Sequence, residues 1–188
     1  MADTAQVTAG KPKVGGHVYR APLGTALPTD ATTALNQAFV DMGYISEDGV
    51  TNSNSPESSV IKAWGGTPVL TIQESKDDTF ALTFISAENI EVQKMVYGYT
   101  NVTGDDFSTG VTVTANATEL EEASYVIEMI AKGNIAHRVV IPKAKPSEIG
   151  DIVYNDTDAV GYEVTLACAA DANGNTHYEY WKTAYRVI

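Results

Sequence analysis

Apolar and polar residues alternate along much of the chain after residue 68, a period of two that is typical of half-buried β-strands. Two such runs, residues 69–73 and 79–85, flank a polar turn and predict a hairpin with Phe80, Leu82 and Phe84 on one face. Further strands are predicted at residues 111–115, 124–130, 135–141, 151–154, 162–169 and 176–181, and Pro142 and Pro146 predict a break after residue 141. Strands at such short intervals indicate a mainly β fold, a sandwich or barrel of two packed sheets.

Two segments follow the helical period instead. The first is residues 30–42, which Thr29 or Asp30 can cap. Its apolar residues recur at i, i+3, i+4 and i+7: Leu35, Ala38, Phe39 and Met42. The second is residues 87–97, preceded by the candidate cap Ser86 and followed by Gly98, with Val92, Met95 and Val96 on one face. One or two α-helices are therefore expected to flank the sheets.

Two other segments show neither period. Residues 1–24 are rich in glycine and proline and are predicted to be an N-terminal arm. Residues 46–59, SEDGVTNSNSPESS, are almost wholly polar and predict a long loop within residues 44–60. A loop of this length inside a compact domain is usually either functional or disordered, and we favour function. The remaining chain, residues 25–188, is predicted to be one β-domain that includes this loop.

The charge of the chain is concentrated in its middle. The formal net charge is −12, and residues 41–128 contain 15 acidic and three basic residues. Such a surface repels phosphates, which counts against a nucleic-acid-binding module, and composition alone favours the interpretation of a solubilising acidic surface. No run of about 18 apolar residues occurs, so membrane insertion is not expected. The single cysteine, Cys168, is interpreted as a small buried hydrophobic residue.

No arrangement of residues typical of an enzyme is found. His17, His137 and His177 are scattered and have no partner at metal-ligand spacing. The pairs 77–78 and 105–106 are acidic but lie in polar, turn-like sequence, where solvated carboxylates are the default. We therefore expect no catalytic residue, no metal site and no cofactor.

Two blocks of sequence carry a family resemblance. The first contains APLGT at residues 21–25, PTD at 28–30, GYISEDGV at 43–50 and AWGG at 63–66; the second contains EIGDI at 148–152, AVGYEVT at 159–165 and GNTHYEY at 174–180. In their residues and in their order along the chain, these blocks resemble the major tail tube proteins of long-tailed, siphovirus-type bacteriophages. The two blocks bracket almost the whole chain.

The resemblance implies a structural subunit without catalytic activity. Proteins of that family fold as two packed sheets with a flanking helix, and six copies form a ring whose inner sheets join into a barrel. Stacked rings make a tube that conducts DNA into the host without binding it specifically. The implied partners are other copies of the chain, a tape measure protein, and the tail terminator and tail tip proteins. The implied locations are the virion tail and, during assembly, the host cytoplasm.

The resemblance also implies three sets of residues. The loop that contacts a neighbouring ring would contain Tyr44, Ile45, Ser46, Glu47, Asp48, Gly49, Val50, Thr51, Asn52 and Pro56. The arm that reaches a neighbouring subunit would contain Val14, His17, Val18, Tyr19, Arg20 and Pro22. The candidates for acidic residues that face the channel are Glu74, Asp77, Asp78, Asp105 and Asp106.

An alternative hypothesis is a β-sandwich module that binds carbohydrate or mediates adhesion. Its aromatic platform would be Tyr178, Tyr180, Trp181 and Tyr185. Ordinary strand alternation, with Tyr178 and Tyr180 packed against a core or an interface, explains the same residues and is favoured.

Overall fold

Antiparallel pairing of eleven strands defines the architecture of the chain, for which a computed structural model describes residues 7–13 and 17–183. The strands are β1 (Lys11–Pro12), β2 (Val18–Pro22), β3 (Val40–Asp41), β4 (Ile45–Lys62), β5 (Pro68–Phe84), β6 (Val102–Thr103), β7 (Thr112–Val113), β8 (Ala123–Ala131), β9 (Ile135–Ile149), β10 (Tyr162–Cys168) and β11 (Tyr178–Thr183). One α-helix is described, α1 (Ile90–Tyr97), followed by a short 3-10 turn (Tyr99–Asn101). The prediction of a mainly β fold is confirmed.

Nine of the strands form one sheet with the order β3-β2-β8-β9-β10-β5-β4, in which β1 also pairs with β8 and β11 with β9. Strands β6 and β7 form a separate pair. The long strand β9 joins two parts of the large sheet: its first half pairs with β11 and its second half with β10. Because the core cluster draws residues from both parts, the sheet folds over itself as a sandwich.

The predicted break after residue 141 is wrong, because β9 continues through Pro142 and Pro146. Pro142 lies where β9 changes its partner from β11 to β10, and Pro146 lies opposite the bulge between Thr165 and Leu166. A ladder donor is dispensable at such irregular positions, so proline is tolerated there.

The main core lies between the two parts of the sheet. Its buried members include Phe80, Leu82 and Phe84 of β5, as the alternation predicted, together with Tyr125 of β8 and Ile141 of β9. Helix α1 closes this core with Val92, Met95 and Val96. The second helix prediction is therefore confirmed, with a later start: Asn89, and not Ser86, accepts hydrogen bonds from the first turn.

A smaller core lies on the opposite face of β8 and β9, around Val126 and Val140. Phe39 and the half-buried Leu35 cover it from the irregular segment 25–39, so the predicted helix over residues 30–42 is wrong. Met42 packs instead in the main core, on the other side of the sheet, so the predicted apolar stripe does not face one surface. The Asp30 carboxylate accepts hydrogen bonds from the Thr32 and Thr33 amides at 2.6 Å, as a helix cap does, but no helix follows it.

Residues 44–60 form most of strand β4, so the predicted loop is wrong. Strand β5 also runs without interruption through the polar stretch that was predicted to be a turn. The two strands pair from Val50 and Leu82 to Lys62 and Pro68, and the chain reverses at residues 63–67. There Gly65 and Gly66 adopt φ values of 101° and 91°, which side-chain-bearing residues rarely adopt.

Smaller differences concern strand ends. The strand predicted at 151–154 is not formed, that at 111–115 shrinks to β7, and that at 176–181 shifts to β11. Cys168 is half-buried beside the main core, as its apolar surroundings suggested, and burial raises the pKa of its thiol to about 12.

Candidate assembly interface

The β4–β5 hairpin projects from the sandwich as a two-stranded ribbon. β4 is the last strand of the large sheet, and β5 pairs with β10 only over residues 79–84, so residues 68–78 of β5 have no second neighbour among the described strands. The section from Ser53 to Lys62 reaches about 30 Å at roughly 3.3 Å per residue. Within the described part of the chain both outer edges of this ribbon are unpaired and both faces are uncovered, which favours association with a partner.

The ribbon has two chemically distinct zones. The hairpin shaft, residues 53–58 and 73–77, is polar on both strands. The hairpin tip, residues 59–72, carries large exposed apolar side chains: Val60 at 46%, Ile61 at 48%, Trp64 at 106%, Val69 at 61%, Leu70 at 53% and Ile72 at 42% exposure. Ile61 lies opposite Leu70 and Val60 lies opposite Thr71, so both faces of the tip present apolar groups.

The residues predicted to contact a neighbouring ring occupy the base of this hairpin and one shaft position. Tyr44 is 68% exposed, whereas Ile45 and Val50 pack against the main core. Residues 46–49 lie between them in a register shift, opposite no residue of β5. Thr51, Asn52 and Pro56 follow on β4 and are exposed. The tip, which has the larger apolar surface, was not among the predicted residues, although the run VIKAW at 60–64 was a signal for it.

Four of the five acidic residues predicted to face a channel are exposed. Glu74 and Asp77 lie on the shaft, and Asp105 and Asp106 lie in the connection between β6 and β7. The Asp106 carboxylate accepts a hydrogen bond from the Ser108 amide at 2.8 Å, and such bonds lower the pKa of Asp106.

Asp78 differs from these four, and its interpretation as a solvated carboxylate is wrong. It is 4% exposed and accepts hydrogen bonds from Asn52 Nδ2 at 2.7 Å and Thr176 Oγ1 at 2.6 Å, while His177 Nδ1 lies 2.6 Å away. Burial raises the pKa of Asp78, but these bonds outweigh it and lower the pKa below its ordinary value. Asp78 thereby fastens the base of the hairpin to the segment before β11.

The interaction network continues along β11. Glu179 Oε1 lies 3.7 Å from His177 Nε2, and Glu179 Oε2 lies 2.9 Å from His137 Nε2. The Trp181 indole stacks on the His137 ring with centroids 3.4 Å apart. Burial lowers the pKa of His137, although the Glu179 carboxylate opposes this effect.

The aromatic residues proposed as a sugar platform do not share one face. Tyr178 and Tyr180 stack on each other and pack against the smaller core. Trp181 lies on the opposite face of β11, over His137. Tyr185 lies outside the described residues. This arrangement favours the packing interpretation over a carbohydrate-binding platform.

The predicted arm is partly a strand of the body. β2 lies between β3 and β8, and His17, Val18 and Arg20 are buried, so residues 18–22 are not a loose leader. Tyr19 is half-buried and Pro22 is exposed. Val14 lies outside the described residues.

A buried charge cluster holds the segment that follows β2. Glu128 and Arg138 face each other across β8 and β9 and form an ion pair. Lys13 Nζ donates to the other Glu128 oxygen at 2.8 Å, and Arg138 donates to the Asp30 backbone carbonyl at 2.7 Å. Burial raises the pKa of Glu128, but its basic partners outweigh this and lower it.

An open cleft of about 760 Å³ lies beside β2. We name it the β2 cleft; it is lined by Arg20, Pro22, Leu23, Tyr99, Glu119, Leu120, Glu121, Glu122 and Lys145. Glu119 is paired with Lys145 at 2.5 Å and Glu122 with Lys143 at 2.9 Å. The carboxylate of Glu121, whose side chain is 54% exposed, has only a 3.9 Å approach from Arg20.

A β-sandwich with a projecting, uncovered ribbon and acidic surfaces defines a class of protein that completes its structure by association. A family model described as phage tail tube protein matches residues 1–185, and the chain belongs to this family. The chain is thus a structural subunit of a phage tail tube, a virion component that assembles with other copies of itself. No curated protein matches the chain significantly.

Two further findings apply to residues 7–13 and 17–183. No helix in these ranges is long and apolar enough to span a membrane. No group of three or more histidine, cysteine, aspartate or glutamate residues in the same ranges is arranged to hold a metal ion.

Proposed function

We propose that six copies of this chain close into a ring, that the rings stack into the tube of a siphovirus-type tail, and that the tube conducts DNA into the host. The observation that carries the proposal is the β4–β5 hairpin, which extends about 30 Å beyond the sandwich without cover. A ribbon of this kind is marginally stable alone and gains its missing contacts from neighbouring copies.

Strand edges supply the lateral contact in this proposal. The outer edge of β4 and the outer edge of residues 68–78 carry backbone groups without a strand partner in the described chain. Pairing between neighbouring copies satisfies these groups and makes a continuous wall around a channel. The half-buried Tyr19 and the exposed Pro22 of the arm take part in the contact between subunits, and Arg20 and Val18 support them from the sheet.

Ring stacking uses the hairpin. Tyr44 and residues 46–52 at its base contact the next ring along the axis, together with Pro56 on the shaft. Apart from Val50, which packs against the main core, these positions are exposed or lie in the bulge that precedes Val50.

The channel surface is acidic in this proposal. A chain of net charge −12 gives a ring of six a charge of −72. Glu74, Asp77, Asp105 and Asp106 are the exposed candidates for the channel surface, whereas Asp78 is paired within the subunit. Like charge keeps DNA from binding the wall, so the polymer slides through. A tape measure protein sets the length of the tube in the host cytoplasm, and terminator and tip proteins complete its ends.

Electron microscopy of the purified full chain tests the proposal. Negative-stain images of concentrated protein, alone and mixed with the tape measure protein of the same phage, are expected to show rings of six and stacked tubes. Analytical ultracentrifugation of the same samples is expected to show a concentration-dependent shift to large species. A chain that stays monomeric under all of these conditions contradicts the proposal.

A further inference from the structure

The hairpin tip differs from the rest of the molecule in charge as well as in exposure. Residues 59–72 contain one basic residue, Lys62, and no acidic residue, in a chain that carries −12. Two chains of this net charge repel each other, and a tip without carboxylates does not add to that repulsion. At the end of the tip Trp64 is fully exposed, so no described residue of its own subunit covers the indole.

The β2 cleft has the complementary chemistry. Its apolar residues Leu23 and Tyr99 are 44% and 40% exposed, and its volume lies in the range of ligand pockets. On its rim Glu121 is the carboxylate with the weakest internal partner. The cleft therefore offers Leu23 and the Tyr99 ring, over which Arg20 and Lys94 lie at 5.3 and 4.7 Å, to an aromatic side chain. It also offers a carboxylate to a cation.

We propose that the hairpin tip of one subunit binds in the β2 cleft of a second copy of this chain. The Trp64 indole packs against Leu23 and Tyr99, and the Lys62 ammonium pairs with Glu121. The complementarity of charge between tip and cleft, both present on every copy, identifies the occupant. This inference rests on the proposed function, and it assigns the contact between copies to the apolar tip in addition to the polar base of the hairpin.

The two contacts have different roles. An aromatic anchor in a desolvated pocket dominates binding energy at interfaces, so Trp64 supplies most of the affinity. The Lys62–Glu121 pair lies at the rim, where charge complementarity mainly fixes orientation and excludes wrong pairings. A tip that enters a different copy's cleft also links subunits head to tail, which generates a ring where the rotation closes and an open stack where it does not.

Assembly of four variants of the full chain tests the proposal. Trp64→Ala is expected to raise the protein concentration needed for tube formation by about 100-fold, the effect of removing a hot-spot aromatic group. Lys62→Glu is expected to raise it by about 10-fold, and Lys62→Glu combined with Glu121→Lys is expected to restore assembly. Lys132→Glu, an exposed lysine in the turn between β8 and β9, is the matched control and is expected to assemble like the wild type.

A cross-link identifies the receiving site directly. In a Cys168→Ala background, a chain with Ala63→Cys is mixed with a chain carrying Leu23→Cys, and the mixture is oxidised gently. A disulfide-linked dimer is expected in the mixture and in neither variant alone. Circular dichroism of each variant establishes that the sandwich is folded.

Three results overturn the inference. If Trp64→Ala assembles at the same protein concentration as the wild type, the tip is not an anchor. Loss of assembly by Trp64→Ala without charge-swap rescue and without the cross-link shows that the tip binds another surface or another protein. A wild-type chain that forms no tubes while the cross-link still appears contradicts the tube function and leaves the tip–cleft contact intact, so the two failures are distinguishable.

Discussion

Asp78 Oδ2 and His177 Nδ1 lie 2.6 Å apart and join the base of the projecting hairpin to the segment that precedes β11. The two residues are separated by 99 positions in the chain, so their contact ties distant segments together. Besides His177, the Asp78 carboxylate accepts hydrogen bonds from Thr176 and from Asn52 on β4. The hairpin therefore leaves the body at a fixed place, which a ribbon involved in assembly requires.

Replacing Asp78 by asparagine is expected to destabilise the subunit. The amide keeps the shape but loses the charge-assisted bonds, with an expected loss of about 1–3 kcal/mol in the free energy of unfolding. Urea denaturation followed by circular dichroism measures this loss. The adjacent exposed Asp77→Asn is the matched control and is expected to leave the midpoint unchanged; equal midpoints for the two variants contradict the assigned role of Asp78.

The same carboxylate predicts an acid limit of stability. The pKa of Asp78 is lower in the folded chain than its ordinary value of 3.8, so its stabilising contribution is complete above that value. The contribution is lost as the pH falls through the folded-state pKa. Unfolding midpoints measured from about pH 6 to about pH 2.5 are expected to fall less steeply in Asp78→Asn than in the wild type. Parallel profiles are the contrary outcome.

His137 is expected to make the subunit less stable in mild acid. Burial lowers its pKa below 6.5 in the folded chain, so the unfolded chain binds a proton more readily. The stabilising contribution of neutral His137 is complete above the unfolded pKa and is lost as the pH falls towards the folded value. His137→Gln is expected to reduce the difference in unfolding free energy between about pH 7.5 and about pH 5, measured by urea titration. An unchanged difference refutes the assignment.

The Glu128–Arg138 pair is expected to behave as a coupled unit. Removing one member, as in Arg138→Met, leaves a buried charge unmatched and is expected to cost about 3–5 kcal/mol. The double variant Glu128→Leu with Arg138→Met is expected to recover most of that loss, since both charges are gone. Lys13 retains water access and needs no replacement, because its side chain is 51% exposed. A double-mutant cycle by chemical denaturation measures the coupling, and additive single effects argue against it.

Shortening the hairpin is expected to separate folding from assembly. A chain in which residues 59–72 are replaced by Asn-Gly joins Ser58 to Gln73, which pair in the native register, through a favourable two-residue turn. The thermal unfolding midpoint is expected to stay close to the wild-type value, because the tip makes no contact with the cores. Electron microscopy is expected to show no tubes. A strongly lowered midpoint contradicts this division between body and tip.

Several elements followed from local pattern alone. The alternation of Phe80, Leu82 and Phe84 predicted their shared buried face, because one side of β5 meets the core. The spacing of Val92, Met95 and Val96, followed by Gly98, predicted the helix because its period and its end are both local signals. The order of short motifs along the chain likewise predicted the tail tube family.

Other elements were decided by partners distant in sequence. The polar run 46–59 resembles a loop, yet pairing with β5 satisfies its backbone while its side chains stay in water, so its polarity does not prevent a strand. The segment 30–42 has helical spacing, yet Phe39 and Met42 pack in two different cores on opposite faces of the sheet. Asp78 and the β2 cleft likewise depend on contacts between segments far apart in the chain.

The sequence by itself determined the mainly β character, the buried faces of the central strands, helix α1 and the tail tube family, because each depends on periodicity or on order along the chain. Only the tertiary structure decided that the polar middle is a projecting ribbon, that its apolar tip is uncovered and that Asp78 is buried. The physical reason is that backbone pairing and burial depend on neighbours in space, and a polar strand at the edge of a sheet has the same local sequence pattern as a loop.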